Sequence, residues 1–293
     1  TSIVCYLLGI QNENQLSTHP LRGAIFEGMI ITELVKSRLH AGKSMNLYYW
    51  RDKTGREIDV IIDNGTELIP LEIKSICSII DRIEAGEIDF PPHKIEHDPH
   101  NPSRLRKIND LAENDSFFFN FAKNQKIIEL VKKCIGKDIK LFGDQLFMKP
   151  PGGIEKTRHQ DSPYFPIEPM ELISCWIALD NVTEQNGCMW LIPKSHFWGA
   201  IEHSEKWMVG TREDMCIPEK NLPDFKEIPI LLKSGSASFH HSLIVHRSGA
   251  NKTKQSRRGW AIHYMSSKSR WTEDVDRKPN FKLISGRSFP GCV

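Results

Sequence analysis

From Leu21 to Leu39 the apolar residues Ile25, Met29, Ile30, Leu34, Val35 and Leu39 recur at helical spacing, and Arg38, His40 and Gly42 close the run as a C-terminal stop. The period then changes from helical to alternating. LYYWRD (47–52), EIDVIID (57–63) and LIPLEIKS (68–75) read as strands, divided by Lys53-Thr54-Gly55 and by Asn64-Gly65, a pair that favours a tight hairpin turn. A helix followed by a meander predicts a small α+β unit.

Between Ser78 and Phe119 the pattern weakens, with prolines at 91, 92, 99 and 102 and charge scattered among them. The domain boundary is expected just after Lys74, near Ile76 to Ile79, giving units of residues 1–77 and 78–293. A second helix is predicted from Gln125 to Cys134, closed by Gly136. Beyond it the chain reads as short strands with turn residues between them: IKLFGDQLFMK, ELISCWIALD, GCMWLIP, SASFHHSLIVH and RGWAIHYM. Short strands at regular spacing predict a sandwich, barrel or jelly roll rather than a βαβ fold, so the second unit is expected to be mainly β.

Composition narrows the partners. Among 293 residues, 39 Lys and Arg face 37 Asp and Glu, a balance that argues against nucleic acid or an anionic membrane surface. No apolar run is long enough to span a bilayer, and TSIVCYLLGIQNENQ has neither a basic leader nor a small-residue cleavage site, so the expected location is cytoplasmic. The seven cysteines are scattered without a C-x-x-C pair and are expected as reduced thiols. A start at Thr1 fits a fragment of a longer reading frame.

The candidate chemistry begins at TRHQDSPYFP (157–166). In an extended segment His159 and Asp161 point to one side and Gln160 to the other, so an imidazole and a carboxylate share a face. A further imidazole would complete a 2-His-1-carboxylate set, which leaves three positions of an Fe(II) octahedron open, and His246 at the end of SASFHHSLIVH is the candidate. Eleven residues on, Arg257 opens the next expected strand, where its planar fork suits a carboxylate such as the far end of 2-oxoglutarate. His240 and His241 are read as structural, although the strand period puts His240 on the face of His246. Lys149 is left open between touching such a cosubstrate and covering the sheet. His93, His97 and His100 in PPHKIEHDPHNP are read as a plain loop.

QLFMKPPGG, TRHQDSPYFP, ISCWIALDNVTEQNGCMWLIPKSH and FHHSLIVHRSGANKTKQSRRGWAIHYM, in that order and spacing, resemble the phytanoyl-CoA dioxygenase family of Fe(II)/2-oxoglutarate-dependent oxygenases over residues 78–293. The resemblance implies a double-stranded β-helix with flanking helices, iron ligands at His159, Asp161 and His246, and Arg257 as the 2-oxoglutarate clamp. It further implies 2-oxoglutarate contacts at Gln145, Trp176 and Ser248. The implied activity is that of a non-haem dioxygenase using Fe(II), 2-oxoglutarate and O₂ to hydroxylate a small organic substrate, releasing succinate and CO₂. Related halogenases have a small residue in place of the carboxylate, so Asp161 favours hydroxylation. One departure is visible. The helix and apolar strand that open the family domain shrink here to SIIDRIEAGEIDF, and the first strand is expected to be missing.

Residues 7–75 resemble the nuclease-like C-terminal domain of unknown function that follows the ATPase core in a group of prokaryotic AAA-type ATPases. Glu27, Asp59, Glu72 and Lys74 have the order of a PD-(D/E)xK core, in which acidic groups hold Mg²⁺ and the lysine assists water or phosphate. The expectation is a retained fold without catalysis, in a gene fusion or chimeric frame. The alternative is a nucleic-acid-associated protein with a metal-dependent nuclease-like N-terminal unit and an inactive β domain.

Overall fold

Helix Arg22–His40 and an antiparallel meander of β1 (Leu47–Arg51), β2 (Glu57–Asp63) and β3 (Leu68–Leu71) form where the two hydrophobic periods place them. The computed structural model describes all residues except 1, 13–14, 17–18, 52, 54–56, 64, 66–67, 72–75, 99–100, 204, 207–214 and 274–278. Two compact units are present, residues 1–89 and 90–293. In the first, a short helix Ile76–Glu84 buries Ile79, Ile80 and Ile83, three positions on one helical face, and its Asp81 pairs with Arg22 at 2.8 Å. Gly65 after β2 has φ +83°, the left-handed backbone that a tight turn asks of glycine. Glu27 lies on the first helix and Asp59 on β2, whereas Glu72 and Lys74 of the nuclease-like set fall outside the described residues.

The second unit is mainly β. Its larger sheet has the order β14-β9-β16-β6-β5-β4, built from β14 (Ala237–His241), β9 (Leu172–Ala178), β16 (Arg257–Ser266), β6 (Ile139–Lys149), β5 (Asn101–Asn109) and β4 (Ile95–Asp98), with β18 (Leu283–Ser285) also on β6. A four-stranded sheet of order β13-β10-β15-β7 faces it, made of β13 (Ile228–Ile230), β10 (Met189–Leu191), β15 (His246–Ser248) and β7 (Lys156–His159). Two small pairs, β8 (Ile167–Glu168) with β17 (Arg270–Trp271) and β11 (Glu205–Lys206) with β12 (Met215–Cys216), complete the strands. Every named pairing is antiparallel, and the facing sheets make the jelly roll that the resemblance implies.

Helices Leu111–Asn114, Ser116–Ala122 and Gln125–Ile135 flank the larger sheet on its outer side. Trp260 packs edge-on to Phe118 with ring centroids 5.2 Å apart, and the Tyr264 hydroxyl donates to the Ala122 carbonyl at 2.8 Å. Covered on both faces, β9 is buried at all of its positions, which is why LISCWIA reads as an unbroken apolar run rather than an alternating one.

The proline-broken stretch before Phe119 is not the loop that its composition suggests. β4 and β5 pair antiparallel on the open edge of β6, with His97 on β4 and His93 in the turn before it; His100 lies outside the described residues. β5 pairs with β6 only over Lys107–Asn109, so Pro102 sits where no second partner asks for its missing N–H.

Asp144 on β6 joins the sheet to the helical layer. Fully buried, it accepts from the backbone N–H of Leu111 at 3.0 Å and of Ala112 at 2.8 Å, and from the Trp260 indole N–H at 2.8 Å. Burial pushes its carboxyl up to about 6, against those donors. Asp144→Ala orphans three buried N–H groups. At about 1–3 kcal/mol for each unsatisfied donor, the variant is expected to lose about 4 kcal/mol in urea unfolding, and Asp144→Asn, which keeps an acceptor oxygen, clearly less. Equal losses in the two variants would show that the donors do not carry the effect.

Candidate active site

β15 and β7 are neighbours in the smaller sheet, and their register sets His246 directly opposite His159. The two rings lie 4.2 Å apart between centroids. Each ring turns Nδ1 to a main-chain carbonyl two residues upstream, His159 to Thr157 at 2.8 Å and His246 to Ile244 at 3.1 Å. A carbonyl only accepts, so Nδ1 carries the proton and Nε2 is left as a bare lone pair. Both lone pairs face the same carboxylate oxygen, Asp161 Oδ1, at 3.8 Å from His159 and 3.7 Å from His246.

Asp161 reaches this place by a turn rather than by strand alternation. β7 stops at His159, and Asp161 has helical φ and ψ (−79°, −21°) at the start of a 3₁₀ turn. Its N–H donates to the Ser242 carbonyl at 2.9 Å, in the turn that follows β14. Gln160 points away as expected and ties the loop down from behind, donating to the carbonyls of Gly199 at 2.8 Å and Leu243 at 2.7 Å.

Burial lowers the pKa of both imidazoles, most strongly for His159, so the rings are neutral donors of lone pairs. Burial would raise the Asp161 carboxyl, but the group is held well below the usual carboxylate range, with His240 facing its other oxygen. The ligand atoms of His159, Asp161 and His246 lie within 4.8 Å of one another, a group of three that could hold a metal ion. Two lone pairs and a carboxylate converging without a proton between them repel, and a divalent cation is what such a donor set suits.

Register across the larger sheet sets the other wall of the site. Gln145, Phe147 and Lys149 on β6 lie opposite Ala261, Gly259 and Arg257 on β16, and Trp176 on β9 lies opposite Ala261. All of these except Gly259 line one cavity of about 390 Å³ together with the triad. Trp176 lies against the Arg257 guanidinium at 5.3 Å. A Cβ on Gly259 would stand 2.0 Å from that indole, so glycine is what leaves the ring its room.

Arg257 is 5% exposed and donates to the Gly187 carbonyl at 2.7 Å, yet its Nε has no partner and no carboxylate among the described residues pairs with it. The contrast with the next residue is sharp. Arg258 holds Asp180 through contacts of 2.8 and 3.0 Å. Burial brings the Arg257 guanidinium down to about 10. Across the register, Lys149 donates to Ser248 Oγ at 2.8 Å and to the Gly249 carbonyl at 2.5 Å, and burial followed by the charge of Arg257 lowers it to about 7. A buried guanidinium and a half-buried ammonium on paired positions of two strands, with no carboxylate paired to the guanidinium, are a receptacle for a carboxylate.

All seven residues expected at the site therefore line one cavity. Lys149, left open from sequence, and His240, read as structural, line it as well, and so does His263, which the sequence pattern did not single out. His240 Nε2 stands 3.9 Å from Asp161 Oδ2, and His263 Nδ1 meets Ser174 Oγ at 2.8 Å. The alternation that puts His240 on the face of His246 was the available signal for the first.

Comparison with known proteins agrees with this geometry. A family model described as phytanoyl-CoA dioxygenase (PhyH) matches residues 71–259, and one described as a domain of unknown function, DUF4143, matches residues 22–90. The peroxisomal phytanoyl-CoA dioxygenase of Rattus norvegicus is 30% identical over 169 residues, covering 56% of this chain and 50% of the relative. That of Homo sapiens is 29% identical over 189 residues, covering 61% and 54%. The chain thus spans about half the length of the curated relatives it matches. Among solved structures, the apo form of a non-heme monooxygenase, ThoJ, shares 25% identity at a TM-score of 0.52, covering 61% of this chain and 65% of that one. The epimerase SnoN in complex with Fe3+, alpha ketoglutarate and nogalamycin RO shares the fold, with 19% identity, a TM-score of 0.56 and coverage of 73% and 85%.

Proposed function

This chain belongs to the phytanoyl-CoA dioxygenase family, and on that premise we propose that it is a non-haem Fe(II)/2-oxoglutarate-dependent dioxygenase hydroxylating a small organic substrate, with release of succinate and CO₂. The observation that carries the reading is the pairing of two vacancies in charge within one cavity. Converging lone pairs at His159, Asp161 and His246 call for a cation, and the partnerless Arg257 beside Lys149 calls for a carboxylate.

In this reading His159, Asp161 and His246 would hold iron, and Arg257 with Lys149 would hold the far carboxylate of 2-oxoglutarate. Bound iron supplies open coordination positions for the 2-oxo acid and for dioxygen, of which one oxygen atom enters succinate and the other the substrate. The chain's own contribution is positional. Main-chain carbonyls lock both imidazoles with Nε2 outward; Trp176 braces Arg257; Ser248 orients Lys149. The apolar side chains Phe147, Met189 and Phe165 in the same cavity exclude water around the reacting centre. The chemistry falls to the domain read as residues 78–293, and nothing among the described residues of the N-terminal unit favours the nuclease alternative.

The test needs no substrate. Anaerobic addition of Fe(II) and 2-oxoglutarate to the purified protein is expected to give the weak visible charge-transfer band of a chelated 2-oxo acid. Well-folded protein that binds Fe(II) without the band would sink the cosubstrate assignment; protein that binds no Fe(II) would sink the reading altogether.

Lys149 adds a pH dependence with a definite sign. Its pKa is near 7 in the free cavity, and a carboxylate bound beside it favours the charged form. Binding above that pH therefore takes up a proton. The affinity for 2-oxoglutarate is expected to fall as pH rises above 7, by up to about tenfold per unit, and the slope is expected to flatten in Lys149→Met. A slope unchanged by the substitution would remove Lys149 from the cosubstrate site.

A further inference from the structure

Asp161 has two carboxylate oxygens, and the structure gives them different neighbours. Oδ1 faces the Nε2 atoms of His159 and His246, and Oδ2 faces Nε2 of His240 at 3.9 Å. Among the described residues no other side chain meets Oδ2. His240 comes from the larger sheet, on β14 opposite Ser174, and its ring is buried with its centroid 5.4 Å from that of His246.

The state of that ring follows from its other nitrogen. Nδ1 of His240 is buried and has no hydrogen-bond partner. An orphaned N–H buried in protein is rarer than an unpaired acceptor, because the donor has no other way to recover its lost hydration. The proton therefore sits on Nε2, and His240 takes the tautomer opposite to that of His159 and His246. Two imidazoles turn lone pairs toward one oxygen of Asp161, and the remaining one turns an N–H toward the other.

We propose that His240 is a positioning residue whose Nε2–H holds Asp161 Oδ2 and so reserves Oδ1 for the cation held with His159 and His246. At 3.9 Å the contact is electrostatic, and a shift of about 1 Å brings it to hydrogen-bond length. The main chain has already fixed the approach. The Asp161 N–H is bonded to the Ser242 carbonyl at 2.9 Å, two residues beyond His240, so only the carboxylate rotation is left for His240 to settle. An apolar ring in its place would leave the carboxylate free to offer either oxygen, or both, and the donor set would lose its preorganisation.

The inference rests on the iron-site reading above, and its test uses Co(II) alone as the probe, added to the full chain. Binding is followed by calorimetric titration and by the visible d–d absorption, which reports the geometry of the donors. His240→Leu is expected to weaken Co(II) binding roughly 10- to 100-fold, in the range of outer-sphere partners, and to change the d–d bands. His240→Gln, whose amide N–H reaches where Nε2 stood, is expected to restore most of the affinity and the wild-type bands. Thermal unfolding of the metal-free proteins verifies the fold, and His240→Asn, too short to reach Asp161, replaces His240→Leu should the latter unfold. Wild-type binding and bands in His240→Leu would overturn the proposal, and so would a His240→Gln variant no better than His240→Leu. A wild-type protein that binds no Co(II) would instead overturn the metal-site reading itself.

Discussion

His159→Ala is expected to abolish the charge-transfer band and to lower substrate-independent succinate release by at least about a thousandfold, a loss of about 4 kcal/mol. The magnitude follows from how the site is built. His159 and His246 hold their places through the same strand pairing, and each presents a lone pair because a main-chain carbonyl holds its proton on the far nitrogen. Removing one imidazole leaves a buried carboxylate with one neutral neighbour in the set, too few donors to compete with water for a divalent ion. Circular dichroism of the metal-free variant should match the wild type. A variant that keeps turnover within tenfold of wild type would exclude His159 as a ligand.

The second large effect is expected at Arg257. Arg257→Ala should raise the KM for 2-oxoglutarate by roughly 150-fold, about 3 kcal/mol, the cost of stranding one member of a buried, hydrogen-bonded charge pair. kcat at saturating cosubstrate should change far less. Arg257→Lys is not expected to rescue, since an ammonium lacks the planar fork that the guanidinium presents over the Trp176 ring. The cosubstrate-free protein should be no less stable to heat after substitution by Met, because the wild-type cation is buried without a carboxylate. An unchanged KM would place the far carboxylate elsewhere.

The larger features of this arrangement could be read from the chain because they repeat locally. Helix Arg22–His40 and the strands around IKLFGDQLFMK and RGWAIHYM follow periods that a few residues suffice to show. His159, Asp161, His246 and Arg257 were legible through residue type and order, although Asp161 reaches its place through a turn and not through the alternation that suggested it. What the pattern hid is what only register and tertiary bonds supply. His240 meets Asp161 because the two sheets are joined at Asp161 and Ser242, segments far apart in sequence. Lys149 comes to stand opposite Arg257 through the β6–β16 register. The β4–β5 pairing was hidden because Pro102 lies where the ladder to β6 is incomplete, a circumstance of the sheet edge and not of the local sequence.

The cross-strand placement of His246 against His159 reaches beyond chemistry. An ion gripped there would staple β15 to β7, and so would bind the folded chain while having little hold on the unfolded one. Occupancy then weighs in the folding equilibrium: a hundredfold excess of free metal over its Kd is worth about 2.7 kcal/mol, a sizeable share of a domain's whole margin. Iron scarcity would in that case cut the amount of this protein as well as its turnover, because starved copies open more often and proteases meet them first.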